Sequence, residues 1–233
     1  MSVKIAAPAL LALQLLAAAP PAGATTELRL LPSSQVWLDG KTNVNAWQCV
    51  GDSLRAELSI GAPAADLERR LGDWQRRPSG SRLDGAGEQP AGWDAEVELR
   101  IPIKALECGN AAMEHDMRKA LRAAQYPQIG YRFVRLSEAR YAPAGAVPAF
   151  ALRVEGEITL AGARRPVAIN VTATQLGPGR FRLRGGLPLR MTDFGIEPPV
   201  ALLGLIRARD ELWVSVDLEV TLPAEAARAG GAK

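Results

Sequence analysis

The sequence predicts an all-β fold of antiparallel strands, either a sandwich or a closed barrel, with one short α-helix. Many segments, such as 212–222, alternate apolar and polar residues, so each strand has one buried and one solvated face. A clear helical period occurs only after Asn110. Strands of a parallel sheet are covered on both faces and carry continuous apolar runs, which excludes a parallel α/β sheet.

The segment 150–173 predicts a β-hairpin. In its first half, the apolar residues stand at alternate positions and therefore share one face of the strand. They are Phe150, Leu152, Val154, Ile158 and Leu160. After a short glycine-containing turn and Pro166, the pattern resumes with Val167, Ile169, Val171 and Ala173. An isolated hairpin is marginally stable in water, so this apolar face must pack against other strands.

The remaining elements follow in chain order. Further strands are predicted at 28–31, 35–39, 43–49, 54–60, 95–103, 129–133, 181–191 and 212–222. Asn110 is a typical N-cap for the helix, which ends before Tyr126-Pro127. Its apolar side chains recur at steps of three and four and are Met113, Met117, Ala120, Leu121 and Ala124.

The chain divides into a leader, one domain and a tail. Residues 1–24 resemble a cleavable signal peptide, with Lys4, an apolar run and an Ala-x-Ala site at 22–24, so we expect a periplasmic protein. The domain is predicted at 25–222. Within it, 61–92 is rich in proline and glycine and is predicted to be a long exposed loop, although 66–76 has room for one or two helical turns. Residues 223–233 are predicted to be a disordered tail.

Charge and cysteine content narrow the function classes. The formal net charge is +3, and the arginines are scattered among acids, which argues against a nucleic-acid partner. Cys49 and Cys108 are the only cysteines. In an exported chain they are expected to form a disulfide, and two separate buried thiols are the alternative.

The sequence offers no catalytic or metal-binding constellation, so we expect neither an enzyme, a metal nor a cofactor. His115 is the single histidine, which is too few for a zinc site or a nucleophile–base pair. The tripeptide Asp193-Phe194-Gly195 occurs in kinases, but the other kinase motifs are missing. It therefore predicts a turn in which Asp193 bonds local backbone and Phe194 fills an edge of the core. Glu155 and Glu157 fit the solvated face of a strand.

An ordered set of short motifs resembles the YceI-like family, which comprises exported lipocalin-like barrels that bind polyisoprenoids or other long-chain lipids. The motifs are Tyr126-Pro127-Gln128-Ile129, the turn from Leu160 to Val167, Thr192-Asp193-Phe194-Gly195-Ile196, the block from Leu106 to Met117 and the last strand to Leu222. The family's hairpin turn often carries histidine where this chain has Ala161, so any role of that histidine does not transfer.

The resemblance implies an antiparallel lipocalin-like β-barrel whose interior holds an apolar lipid-like ligand. The inward-facing residues expected to form the wall of its cavity are Leu99, Ile101, Tyr131, Phe133, Leu152, Val154, Ile158, Val167, Ile169, Phe181, Leu183, Val214 and Val216. The alternative function is a non-enzymatic interaction protein with a solid barrel, which docks a membrane-associated or redox protein partner. Periodicity does not separate a cavity from a solid core, and it does not indicate an oligomeric state.

Overall fold

The structure is a computed structural model that describes residues 25–83 and 95–223. These residues form a 13-stranded sheet in which every pairing is antiparallel. The first seven strands are β1 (Thr26–Glu27), β2 (Arg29–Leu30), β3 (Gln35–Thr42), β4 (Ala46–Gly51), β5 (Arg55–Ile60), β6 (Ala95–Pro102) and β7 (Leu106–Glu107). The others are β8 (Gln128–Tyr141), β9 (Ala149–Leu160), β10 (Ala163–Gly177), β11 (Arg180–Arg190), β12 (Val200–Ala201) and β13 (Ile206–Thr221).

The sheet curls into a barrel because two short segments each link strands that are far apart in the order of the sheet. The strand order is β1-β5-β6-β8-β9-β10-β11-β13-β3-β4-β7. At one end of the barrel β1 pairs with β5, and the next strand along the chain, β2, pairs with β13. At the other end β7 follows β6 through a 3-10 turn, Ile103–Ala105, and pairs with β4. The predicted antiparallel fold is confirmed, and it is the barrel rather than the sandwich.

The predicted hairpin is present as β9 and β10, which pair over the whole length of β9, from Ala163↔Leu160 to Thr174↔Ala149. The turn between them places Ala161 at φ 49° and Gly162 at φ 84°. The Tyr126 ring lies over Gly162, so a Cβ at that position would come within 2.5 Å of the ring. Glycine is therefore required here both by its backbone conformation and by its neighbour.

In the described part of the chain two helices accompany the sheet, where the sequence analysis expected one and left room for one or two helical turns at 66–76. The predicted helix is α2, Ala111–Ala120, and the Oδ1 atom of Asn110 caps it by accepting from the amides of Ala112 and Met113. The second helix, α1, spans Ala64–Gln75. It lies inside the segment 61–92 that was predicted to be an exposed loop, and that prediction is wrong for 61–83, where Ala62, Leu67 and Leu83 are buried.

Several predictions fall on residues that the structure does not describe. The proposed signal peptide at 1–24, positions 84–92 of the predicted loop, and positions 224–233 of the predicted tail all lie outside the described residues. Within the described ranges, neither helix is long and apolar enough to cross a membrane.

Candidate ligand-binding site

The residues predicted to line a cavity all lie on β6, β8, β9, β10, β11 and β13. Leu99, Ile158, Ile169 and Phe181 are buried, and the other nine are half-buried. The structure divides most of this set between two packed groups of side chains, one at each end of the barrel. Which of them contact a ligand stays a prediction.

The α2 end of the barrel comprises two clusters of buried residues. In the first, Ile158 and Ile169 pack with Phe194 and Leu121, and half-buried Tyr131, Val154, Val167 and Val214 lie against them. In the second, Val36, Leu38, Cys49 and Leu106 pack together, with half-buried Ile101 and Val216 against them. Helix α2 covers these clusters with Met113 and Met117, although none of its own residues is buried.

The α1 end comprises two further clusters, and α1 contributes directly to both. Leu67 is buried among Phe181, Val220 and Leu222. Two turns further along the same face of the helix, Trp74 meets Phe150 edge to face at 6.0 Å between ring centroids. Leu152 and Leu183 from the predicted wall pack here as well. Helix α1 therefore forms the floor of the barrel, which the sequence analysis did not foresee.

Between the two ends lies the waist, which we define as Ala56, Val97, Leu99 and Phe133 on β5, β6 and β8. Leu99 and Phe133 share the inward parity of Tyr131, whose ring belongs to the α2 end. None of the four residues belongs to the clusters that the described residues form at either end. Ala56, Val97 and Phe133 are half-buried although they face inward, so part of their apolar surface is left uncovered by the described residues.

Tyr131 brings one polar group to this apolar interior. Its ring lies over Gly156, where a Cβ would come within 2.6 Å of the ring carbons. The hydroxyl is buried and has no hydrogen-bond partner among the described residues. Burial raises the pKa of Tyr131 to about 12. The sequence analysis included Tyr131 in the wall but missed that its hydroxyl is an unpaired donor.

The outer face of the barrel is polar, and several of its charges are paired. The carboxylate of Glu155 binds Arg135 at 2.7 Å, and that of Glu157 binds Arg132 at 2.5 Å. The hydrogen bond from Arg132 holds the pKa of Glu157 below its ordinary value. Three of the surrounding arginines, Arg100, Arg132 and Arg164, border a shallow depression of about 180 Å³ on this face. The solvated-face interpretation of the two glutamates is confirmed.

The Asp193-Phe194-Gly195 segment has a structural role. Met191–Phe194 forms a 3-10 turn after β11, and Phe194 is buried at the α2 end. The carboxylate that fixes this turn is that of Asp210, which accepts from the amide of Thr192 at 2.9 Å and from its hydroxyl at 2.8 Å. The predicted turn and the buried Phe194 are confirmed, but the carboxylate that bonds the backbone of the turn is that of Asp210 and not that of Asp193.

Cys49 and Cys108 form the predicted disulfide, which joins β4 to the segment before α2. His115 is exposed on α2. Within residues 25–83 and 95–223, no three histidine, cysteine or acidic side chains come together as metal ligands would.

The sequence analysis left room for one or two helical turns at 66–76 but missed that α1 packs into the barrel, and a signal for this was present. Leu67, Leu71 and Trp74 recur at steps of four and three, which is the period of an amphipathic helix. The surrounding prolines and glycines of 61–92 concealed this short pattern.

Comparison with solved structures places the fold among known barrels. No curated protein sequence matches the chain. The crystal structure of BcnA from Burkholderia cenocepacia has 17% sequence identity and a TM-score of 0.54, over 82% of this chain and 99% of that one. A polyisoprenoid binding domain from Saccharophagus degradans has 14% identity and a TM-score of 0.55, over 86% and 99%. At these identities the likeness shows the fold alone.

The family model for the YceI-like domain matches residues 75–226, which is more than half of the chain. The match begins at Gln75, the last residue of α1, so the strands β1–β5 and the helix α1 precede it. The matched range contains the ordered motifs from Leu106 to Leu222, and the curled antiparallel sheet agrees with the two neighbours. The chain belongs to the YceI-like domain family.

Proposed function

We propose that this protein is an exported binding protein that holds a long-chain apolar ligand, of polyisoprenoid or other lipid type, inside its barrel. The observation that carries the proposal is the waist, where apolar side chains face inward and remain partly uncovered between two packed ends. Each methylene that moves from water into such a site contributes about 0.8 kcal/mol, so a long chain binds without many polar contacts. Binding rather than catalysis is the role that this lining supports.

The structural neighbour from Saccharophagus degradans, described as a polyisoprenoid binding domain, supports the ligand class. The two proteins share a fold and not a close sequence, so the ligand of this chain is inferred from its own lining. That lining is aliphatic and aromatic at the waist, which suits a hydrocarbon of isoprenoid or acyl type.

Tyr131 gives the proposed ligand a direction. Its hydroxyl is a buried donor without a partner among the described residues, and a buried donor without an acceptor costs about 1–3 kcal/mol. A ligand with a hydroxyl, carboxyl or phosphate oxygen relieves this cost when that oxygen lies beside Tyr131. We therefore place the polar end of the ligand toward the α2 end and its hydrocarbon toward the waist.

Export to the periplasm is part of the proposal, and two features support it. Residues 1–24 have the composition of a cleavable leader. The Cys49–Cys108 disulfide suits an oxidising compartment. A lipid ligand has low solubility in an aqueous compartment, and a barrel that encloses it serves as a carrier or a sensor.

The proposal is tested with the full chain exported in a Gram-negative host. Organic extraction of the purified protein, followed by mass spectrometry, is expected to release one lipid-like molecule per chain. The variant Val97→Trp fills the waist and is expected to lose this molecule. Val134→Trp is the matched control, because Val134 is exposed on the outer face of β8.

Two results would count against the proposal. One is a protein that releases no lipid and binds no added polyprenol or fatty acid. The other is Val97→Trp retaining as much ligand as Val134→Trp while both variants stay folded by circular dichroism.

A further inference from the structure

Among the larger apolar side chains of the described residues, the four most exposed gather at one place on the α2 end. We call this the apolar tip, and it consists of Val44, Val200, Leu203 and Leu205. Leu203 is 106% exposed and Leu205 is 73% exposed, and a group of exposed apolar side chains is informative where a single exposed leucine is not. The tip is built from two neighbouring segments, the β3–β4 turn and the segment that comprises β12 and the loop between β12 and β13.

Hydrogen bonds join the two loops into one unit. The side-chain amide of Asn43 donates to the carbonyl of Leu205 at 2.9 Å, and its oxygen accepts from the amide of Arg207 at 2.8 Å. The amide of Asn43 also donates to the carbonyl of Arg207 at 3.0 Å. Within the turn, the Thr42 hydroxyl accepts from the amides of Val44 and Asn45. The apolar side chains are therefore presented by a fixed scaffold.

Leu203 occupies a backbone conformation that leucine rarely adopts. Its φ is 55° and its ψ is 32°, in the left-handed region that usually holds glycine or asparagine. The position thus combines backbone strain with full exposure of an apolar side chain. A strained and exposed leucine lowers the stability of the isolated domain, which points to a role outside it.

Cationic side chains accompany the tip. Arg207 and Arg209 on β13 and Lys41 on β3 are exposed, and none of the three forms an ion pair with a described carboxylate. On the outer face of the sheet, by contrast, Arg132 and Arg182 are bound to acidic side chains. Apolar side chains next to unpaired cations match the interface of an anionic bilayer, where acyl chains lie below negative headgroups.

We propose that the apolar tip inserts into the surface of an anionic phospholipid bilayer and holds the α2 end of the barrel against it. The tip protrudes from two loop turns, a shape that enters a soft interface more readily than it forms a flat protein contact. It continues into β13, where Ala208 and Leu212 pack into the α2 end. Docking brings the proposed polar end of the ligand close to the headgroups, but tip insertion itself requires no ligand.

Vesicle co-sedimentation of the full chain tests this proposal. Vesicles of phosphatidylcholine with phosphatidylglycerol are expected to bind the protein, and vesicles of phosphatidylcholine alone are expected to bind it less. The double variant Leu203→Gly/Leu205→Ser is expected to lose roughly tenfold or more in partitioning, because two apolar side chains no longer leave water. Leu203→Gly also relieves the strained φ, so the variant is expected to fold.

The matched control is Leu176→Ser/Trp213→Ser, which removes two exposed apolar side chains on β10 and β13 outside the tip. It is expected to bind vesicles as the parent does. An environment-sensitive dye attached to Leu203→Cys is expected to shift to shorter wavelength on vesicle addition.

The proposal is overturned if the tip variant and the control partition equally, or if the parent binds neither kind of vesicle. Concentration-dependent dimerisation that the tip variant abolishes, without vesicle binding, would instead assign the tip to a second copy of the chain. Lipid extraction from the barrel is measured separately, so failure of tip insertion and failure of ligand binding are distinguishable.

Discussion

The two helices close opposite ends of the barrel by different means. Helix α1 closes its end with its own side chains, since Leu67 is only 3% exposed and Trp74 packs against Phe150. Helix α2 buries none of its residues and rests on half-buried methionines. The burial at its end lies in the segments beside it, in Ile103, Leu106 and Phe194.

This difference indicates which helix moves at the lower cost. The segment before α2 is fixed by the disulfide at Cys108, and Gly109 at φ 71° joins it to the helix. Methionine side chains are flexible and tolerate repacking. We therefore expect α2 to shift while the rest of its end stays packed, and we expect α1 to move only when its clusters come apart. Access for a ligand is expected at the α2 end.

The largest expected effect comes from removing the disulfide that anchors α2. The chain-entropy model assigns about 4 kcal/mol to a loop of 59 residues, so Cys49→Ser/Cys108→Ser is expected to lose up to that amount of unfolding free energy. Denaturant titration measures the loss. Hydrogen exchange is expected to accelerate in Leu106–Glu107 and α2 more than in α1. Equal acceleration of hydrogen exchange in α1 and α2 would contradict the view that the disulfide stabilises the α2 end alone.

Truncating one apolar side chain at each end of the barrel compares directly how much α1 and α2 stabilise their ends. Leu67→Ala leaves a cavity among Phe181, Val220 and Leu222 and is expected to cost about 3 kcal/mol of unfolding free energy. Met117→Ala removes a half-buried side chain and is expected to cost less than half of that. Leu176→Ala, at an exposed position, is the control and is expected to change stability by at most about 0.5 kcal/mol. Equal losses of unfolding free energy in Leu67→Ala and Met117→Ala would contradict the view that α1 packs its end of the barrel more tightly than α2 does.

Tyr131 tests whether the space beneath α2 is closed to water. Because burial raises its pKa to about 12, one of the 3 tyrosines is expected to ionise late in an ultraviolet pH titration. The raised pKa contributes stability that is complete below the unfolded pKa of about 10 and is lost as pH rises toward 12. A difference of two pKa units corresponds to about 3 kcal/mol.

Tyr131→Phe is expected to remove the late ionisation and to weaken the loss of stability above pH 10. Tyr126→Phe is the control, and the late phase is expected to remain in it. If all tyrosines ionise together near their ordinary pKa, the interior at the α2 end is open to water.

The sequence predicted the faces of the strands better than their depth in the barrel. Strict alternation in 212–222 and 150–160 placed Val216 and Ile158 on the inward face. Alternation shows which face a residue is on but not its position along the barrel axis, because that position depends on how the strands of the closed sheet tilt. It therefore does not show that Ile158 is buried at the α2 end while Val97 lies at the waist. Two register shifts in β8, after Phe133 and after Leu136, interrupt its alternation, which is why its predicted strand ended at 133.

The candidate site was predicted in outline only. Its aliphatic wall follows from periodicity, but the Tyr131 hydroxyl becomes distinctive only when its surroundings are known to offer no partner. The apolar tip was not predicted, because Leu203 and Leu205 in the sequence look like core residues near a strand. Their exposure depends on the hydrogen bonds between the β3–β4 turn and Arg207, which join positions far apart in the chain.

The smallest expected effect concerns the caps, which also differ between the helices. The Asn110 side chain caps α2, whereas α1 starts after Pro63 without a side-chain cap. Asn110→Ala is expected to cost about 1 kcal/mol, felt in the first turn of α2. Pro63→Ala is the matched change at α1 and removes no capping hydrogen bond.

Hydrogen exchange measured on both variants gives the readout. Faster exchange of the Ala112 and Met113 amides in Asn110→Ala, with α1 unchanged, is expected, because those amides lose their acceptor. If α2 moves as a unit to admit ligand, this variant also binds and releases an added polyprenol faster with little change in overall stability. Unchanged ligand kinetics with faster exchange would show that fraying of α2 is separate from access, and would place the ligand's path elsewhere in the barrel.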